Sequence, residues 1–121
     1  MAASMISKGK QAEAAAQQWL EAKNYRLLNK NYACRLGEID LVMLDNEILV
    51  FIEVRLRSHS HYGGAVASVD AKKQRKIIMT ARHFLMCHPK YSQHICRFDV
   101  IAFGNSADPS NPIWYKDAFR L

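Results

Sequence analysis

The chain has 121 residues, half of them hydrophobic, with 17 basic against 11 acidic side chains and a formal charge of +6. That length suits one domain with its own core, residues 1–121, and is too short for two ordinary ones, and the apolar content excludes a disordered chain. The basic excess points toward polyanions, nucleic acid above all, and the longest apolar run, Ile48 to Ile52, is far too short to span a bilayer, so no membrane partner is expected.

In chain order, Ala12, Ala15, Ala16, Trp19 and Leu20 recur at helical spacing and predict an amphipathic helix from about Ser7, its N-cap, to Lys23. Tyr25 to Tyr32 reads as a short strand. From Leu36 the residues alternate, with Ile39, Leu41 and Met43 expected on one face and Glu38, Asp40 and Val42 on the other. Asp45-Asn46-Glu47 is a turn signal, and the β-rich run Ile48 to Leu56 should fold back as a central strand of an antiparallel hairpin. Ser58 to Ser68, with two glycines and His59 and His61, reads as a loop. Asp70 should cap a second helix running to about Cys87, with Ile77, Ile78, Ala81 and Leu85 inward and Pro89 beyond its end. Arg97 to Phe103 is the next strand, Gly104 to Pro112 a surface loop, and Ile113 to Tyr115 a short last strand. The order helix, three strands, helix, one or two strands predicts an α/β layer fold with a mixed sheet flanked by helices.

The chemistry concentrates in Gly37-Glu38-Ile39-Asp40 and Phe51-Ile52-Glu53-Val54-Arg55. Alternate strand residues share a face, so Glu53 and Arg55 project together. A turn centred between Asn46 and Glu47 sets Asp40 opposite Glu53, and cross-strand neighbours lie about 5 Å apart. Two carboxylates that close repel unless a positive charge lies between them. A hydrated Mg²⁺ or Mn²⁺ answers this, with the Val54 backbone carbonyl as a further ligand. Pairing with Arg35, Arg55 or Arg57 at a sheet edge answers it equally well. From the pattern alone the two readings stand level, even though both acids interrupt apolar strands where charge is costly.

Two polar residues on the helices fit the same centre. Glu13 borders the apolar stripe of the first helix and either reaches the sheet or stays an exposed helix glutamate, and Gln74 extends the inward stripe of the second, where a polar group needs a partner, in a core hydrogen bond or an active-site contact. Lys72, Lys73, Arg75 and Lys76 crowd the first turns of the second helix against its dipole. With Arg55 and Arg57 they compose a candidate phosphate-tracking surface, or else a solvated basic face. Asp99 beside Arg97 reads as a structural ion pair. His59 and His61 read as exposed loop residues. The three cysteines, Cys34, Cys87 and Cys96, have no metal or redox spacing, and Met1 to Lys10 has no apolar stretch for a signal peptide. A reduced, cytoplasmic protein is therefore expected.

At these residues the chain resembles the YraN family of bacterial proteins. Gly37-Glu38-Ile39-Asp40-Leu41, Val50-Phe51-Ile52-Glu53-Val54-Arg55, Lys73-Gln74-Arg75-Lys76 and Arg97-Phe98-Asp99-Val100 carry the resemblance, which extends from Gly9 to Phe119. That family is similar to the restriction-endonuclease-like superfamily, with its PD-(D/E)XK motif, and to archaeal Holliday junction resolvases. The resemblance implies catalytic roles for Asp40 and Glu53 as the motif acids, Glu13 as a helix-borne glutamate and Gln74 as a glutamine after the core strands. Arg55 stands where the motif usually has lysine. Arginine does not lose its proton, so Arg55 can hold a phosphate or stabilise developing charge but cannot act as a base.

The resulting expectation is a Mg²⁺- or Mn²⁺-dependent endonuclease-like protein acting on DNA, branched DNA included, as a homodimer by analogy with the resolvases. The alternatives are a non-catalytic nucleic-acid-binding module of the same fold and a protein-interaction domain with a relict site.

Overall fold

A computed structural model describes residues 7–56, 69–104 and 112–120. Arg57, the loop with His59 and His61, and most of the Gly104 to Pro112 turn lie outside the described residues. Helix α1 spans Lys8–Glu21, followed by β1 (Arg26–Cys34), β2 (Gly37–Asp45), β3 (Ile48–Leu56), α2 (Ala71–Cys87), a 3₁₀ turn (Pro89–Tyr91), β4 (Ile95–Phe103) and β5 (Ile113–Phe119). The strands form one sheet in the order β1-β2-β3-β4-β5. All neighbours are antiparallel except β3 and β4, so the sheet is mixed. The fold is α/β, consistent with a restriction-endonuclease-like fold.

Local signals set the elements. The Ser7 side chain accepts the Lys10 amide at 3.1 Å and starts α1. Asp70 accepts the Lys73 amide at 2.8 Å and starts α2. Asn46, with φ 56°, takes the left-handed position in the β2–β3 turn that asparagine tolerates. The 17 residues of α2 cover about 25 Å, the length of return that a parallel β3–β4 pair requires.

The sheet has a core on each face. Ala12, Ala16 and Leu20 of α1 pack with Leu41, Met43, Val50, Ile52, Ile101 and Phe103. On the other face Ile77, Ile78, Ala81 and Phe84 of α2 pack with Val42, Leu44, Leu49, Phe51, Phe98, Val100 and Ala102. The alternation in β3 and β4 is regular, which puts Glu53 and Arg55 on the α2 side with Phe51. In β2 it breaks. Ile39 packs with Val42 on the α2 face, while Leu41 and Met43 pack under α1. The expected common face for Ile39, Leu41 and Met43 is therefore corrected: the strand turns over at Asp40. The last strand is also longer than the expected Ile113 to Tyr115.

Asp99 is almost wholly buried, at 1% exposure, yet it is satisfied. Arg97 donates to its two oxygens at 2.9 and 3.0 Å, Trp114 Nε1 at 2.9 Å and the Asp117 amide at 2.9 Å. Arg97 also donates to the Tyr25 hydroxyl at 2.9 Å, and Trp114 meets Trp19 and Tyr25 edge-to-face at 5.5 and 5.7 Å. Asp117 reaches its position with φ 56°. The Arg97–Asp99 pair thus ties β4 and β5 to Tyr25, the residue that leads into β1. Replacing Asp99 by Ala leaves the half-buried Arg97 guanidinium with only Tyr25 and Asp45, the latter at 3.6 Å, and is expected to cost about 3 kcal/mol, the lower end for breaking a buried pair, read as a lower urea midpoint with the denaturant slope unchanged.

Candidate functional site: an acidic cleft walled by lysines

The β2–β3 ladder runs from Asp45↔Ile48 to Leu41↔Ile52. One further step would set Asp40 beside Glu53, the alignment expected from a turn centred between Asn46 and Glu47. There the regular ladder ends. The Asp40 carboxylate accepts the Val54 amide at 2.8 Å, a backbone donor that a longer ladder would have paired with the main chain. In an extended strand a residue's N–H and C=O point to the same edge, so the Val54 carbonyl also faces the gap opened between the strands.

The strand-borne carboxylates are approached from both faces of the sheet. On the α2 side Glu53, only 6% exposed, lies 3.6 Å from Arg55 Nε and 3.3 Å from Lys73 Nζ. On the α1 side Glu13 accepts Asn31 Nδ2 at 3.0 Å and Lys10 Nζ at 3.3 Å, and Lys10 also donates to Asn31 Oδ1 at 2.9 Å. Asn31 adopts a left-handed backbone, φ 51°, and stands in β1 where the β1–β2 register passes Asp40, between the rungs Lys30↔Leu41 and Tyr32↔Ile39.

Asp40 carries the electrostatic strain. Burial, then the nearby Glu53 charge, push its carboxyl up to about 8; the Val54 amide opposes the shift, and Glu13 adds to it. The Asp40 carboxyl is thereby biased toward its neutral form near neutral pH.

These groups open into a cleft of about 400 Å³ lined by Glu38, Asp40, Glu53 and Asp70 and, from α2, by Lys72, Lys73 and Lys76. Gly37 lets β2 approach that helix, since a Cβ there would sit 3.0 Å from the Thr80 hydroxyl. The structure thus brings Asp40, Glu53, Arg55, Glu13 and Val54 together. Lys72, Lys73 and Lys76 line the cleft, whereas exposed Arg75 does not. Gln74 donates to the Val69 carbonyl at 2.9 Å. Arg57 lies outside the described residues. Sequence reasoning missed Asn31 and Lys10, whose pattern on β1 and α1 is that of ordinary surface residues. It also placed Lys73 on the phosphate-tracking surface, without its contact to Glu53.

The donors are hard carboxylate and carbonyl oxygens, which suit Mg²⁺ or Mn²⁺ rather than a soft metal. Among the described residues no three His, Cys, Asp or Glu side chains close into a metal cage. An ion that uses one or two carboxylates and keeps its waters needs none. A cation placed between Asp40 and its neighbours Glu53 and Glu13 would relieve the repulsion that raises the Asp40 carboxyl.

A family model described as "Uncharacterised protein family UPF0102" matches residues 12–103. Among curated relatives, a UPF0102 protein of Stutzerimonas stutzeri strain A1501 is 47% identical over 114 residues, covering 94% of this chain and 95% of the relative. One from Ectopseudomonas mendocina strain ymp is 47% identical over 111 residues, 92% of each chain. One from Alcanivorax borkumensis is 46% identical over 114 residues, 92% of this chain and 90% of the relative.

Because the Asp40 carboxyl is raised in the folded chain, its contribution is favourable at low pH and is lost as pH rises from about 4 to about 8. Without divalent metal, Asp40→Asn is expected to be more stable than the parent at pH 8.5, by about 1–3 kcal/mol after discounting for partial exposure. The advantage should vanish below pH 4, roughly the ordinary carboxylate range. Thermal melts across that range in chelator check it; parallel curves would contradict the protonated Asp40.

Proposed function

The chain belongs to the UPF0102 (YraN) family, and from that premise and the acidic cleft we propose that it is a metal-dependent endonuclease-like protein acting on DNA phosphodiesters, branched DNA included. The observation that carries the reading is the meeting of Asp40 and Glu53 beneath a wall of three lysines, with Glu13 reaching Asp40 from the α1 face. The acids suit a divalent cation, and the lysines suit the phosphate it would act on.

On this reading Asp40, Glu53 and the Val54 carbonyl hold Mg²⁺ or Mn²⁺, with Glu13 assisting. A bound ion would polarise the phosphate and make water nucleophilic at neutral pH. Arg55 stays charged throughout and stabilises negative charge developing on the phosphate beside Glu53. Lys72, Lys73 and Lys76, with Arg75 and Arg57, track the backbone on either side. Lys10 and Asn31 hold the Glu13 carboxylate toward the centre. Gln74 would orient substrate or water by exchanging its bond to the Val69 carbonyl. The resolvase-like resemblance supports a homodimer, and three free thiols support the cytoplasm as its compartment. No helix among the described residues is long and apolar enough to cross a membrane.

Arg55 at the motif's lysine position favours a second reading, a nucleic-acid-binding module of the same fold that does not turn over. The two separate in one assay on single-stranded, duplex and four-way-junction DNA with Mg²⁺ and then Mn²⁺. A nuclease cleaves at least one substrate, and Glu53→Ala lowers the rate by about 10² or more. Metal-independent binding that weakens steeply with salt, with no cleavage by either protein, selects the module. Equal cleavage by both proteins sinks the acidic site.

Lys73→Glu with Lys76→Glu is expected to weaken DNA binding and flatten its dependence on salt, by about two in log–log slope if each lysine meets one phosphate. Fluorescence anisotropy across a salt series measures both quantities. An unchanged slope would remove these lysines from the interface.

A further inference from the structure

Resting on the metal-binding reading, we propose that the Lys73 ammonium is a tethered stand-in for the divalent cation: it neutralises Glu53 when the metal is absent and is displaced toward the phosphate when the metal binds.

Three observations converge on this residue. Lys73 Nζ lies 3.3 Å from Glu53 Oε2, although the lysine comes from a different element and its side chain is 43% exposed while that of Glu53 is only 7% exposed. The ammonium therefore enters from the solvent side of the cleft, along the path an ion would take. Its main chain is fixed at the same time, because the Lys73 amide is the one that Asp70 caps at 2.8 Å. Only the flexible stem can move, and a lysine stem has four carbons of reach. Finally, Arg55 already contacts the same Glu53 oxygen at 3.6 Å. Glu53 thus retains one cation when Lys73 leaves, so displacement does not abandon a buried charge.

Competition follows directly. Lys73 and a metal ion both draw on the Glu53 carboxylate; Arg55 already shares its oxygen with Lys73, and an incoming divalent charge repels the more mobile of the two cations. The displaced ammonium stays in a cleft whose other lysines, Lys72 and Lys76, already face the same space. The substrate would then meet one more phosphate-binding cation in the metal-loaded protein than in the metal-free one. Metal and nucleic acid become linked through a side chain, with no movement of the backbone.

The test uses Mn²⁺ as the probe and needs no turnover. Mn²⁺ binding is measured by titration calorimetry for the parent, Lys73→Met and Lys76→Met, the last a control for removing one charge from the same cleft. Lys73→Met should bind Mn²⁺ about three- to tenfold more tightly, the range that loss of a competing ion pair supports, and Lys76→Met should change it much less. In parallel, a lysine-acetylation footprint read by mass spectrometry should show Lys73 of the parent reacting faster with Mn²⁺ than without it. Equal tightening in both variants, weaker binding in Lys73→Met, or an unchanged footprint overturns the stand-in role. Absence of Mn²⁺ binding by the parent overturns the metal reading itself, and the two failures are thereby distinct. Folding of Lys73→Met is checked by its melting temperature in chelator.

Discussion

Asp40 ends the β2–β3 ladder with its own side chain, and the candidate site depends on that hydrogen bond. Its carboxylate takes the Val54 amide at 2.8 Å, so the two strands can separate without leaving that donor unmet. The separation turns Ile39 to the α2 face, directs the Val54 carbonyl into the gap and brings Asp40 alongside Glu53. A longer regular ladder would have sealed this space with main-chain pairs. A carboxylate used this way is expensive in the interior of a sheet, and the raised Asp40 pKa reflects that cost.

Asp99 shows that the cost is not a general property of acids in this sheet. It is more deeply buried than Asp40, yet four hydrogen bonds from Arg97, Trp114 and Asp117 satisfy both its oxygens. Asp40 has one backbone donor and two carboxylates for neighbours. Both residues interrupt apolar strands and both lie two positions from an acid or base on the same strand. The difference is made by what the third dimension supplies: aromatic, guanidinium and backbone donors around Asp99, like charges around Asp40. Burial alone does not mark a functional carboxylate. Burial with unrelieved like charge is the more informative combination.

The parts of this arrangement that were legible in the sequence are those set by local rules. Strand alternation put Glu53 with Arg55, the Asp45–Glu47 turn aligned Asp40 with Glu53, and Asp70 announced the start of α2. Periodicity failed at Ile39 because it assumes an unbroken strand, and the turnover there is produced by a side chain–backbone bond across to β3. Phe84 was passed over in the inward stripe of α2 although it is almost fully buried, since its place between Ala81 and Leu85 depends on the angle at which the helix meets the sheet. Asn31 and Lys10 carried no sequence signal because their significance is positional: they are partners of Glu13 only once β1 lies beneath α1. Gln74 was recognised as inward and polar, but periodicity could not say that its partner would be the Val69 carbonyl.

The position of Arg55 follows the same logic of charge placement. Glu53 has Arg55 and Lys73 against one oxygen, so its negative charge is compensated from two directions. Asp40 is held by a backbone amide and faces Glu53 and Glu13. Glu53 therefore has cations against it while Asp40 has like charges, a difference in surroundings of the kind that separates the roles of neighbouring acids. A lysine at position 55 would supply the same sign of charge but could surrender it; arginine keeps the positive charge beside Glu53 at every accessible pH. What Arg55 removes is a proton acceptor, while the electrostatic frame that suits a divalent cation and a phosphate is left standing.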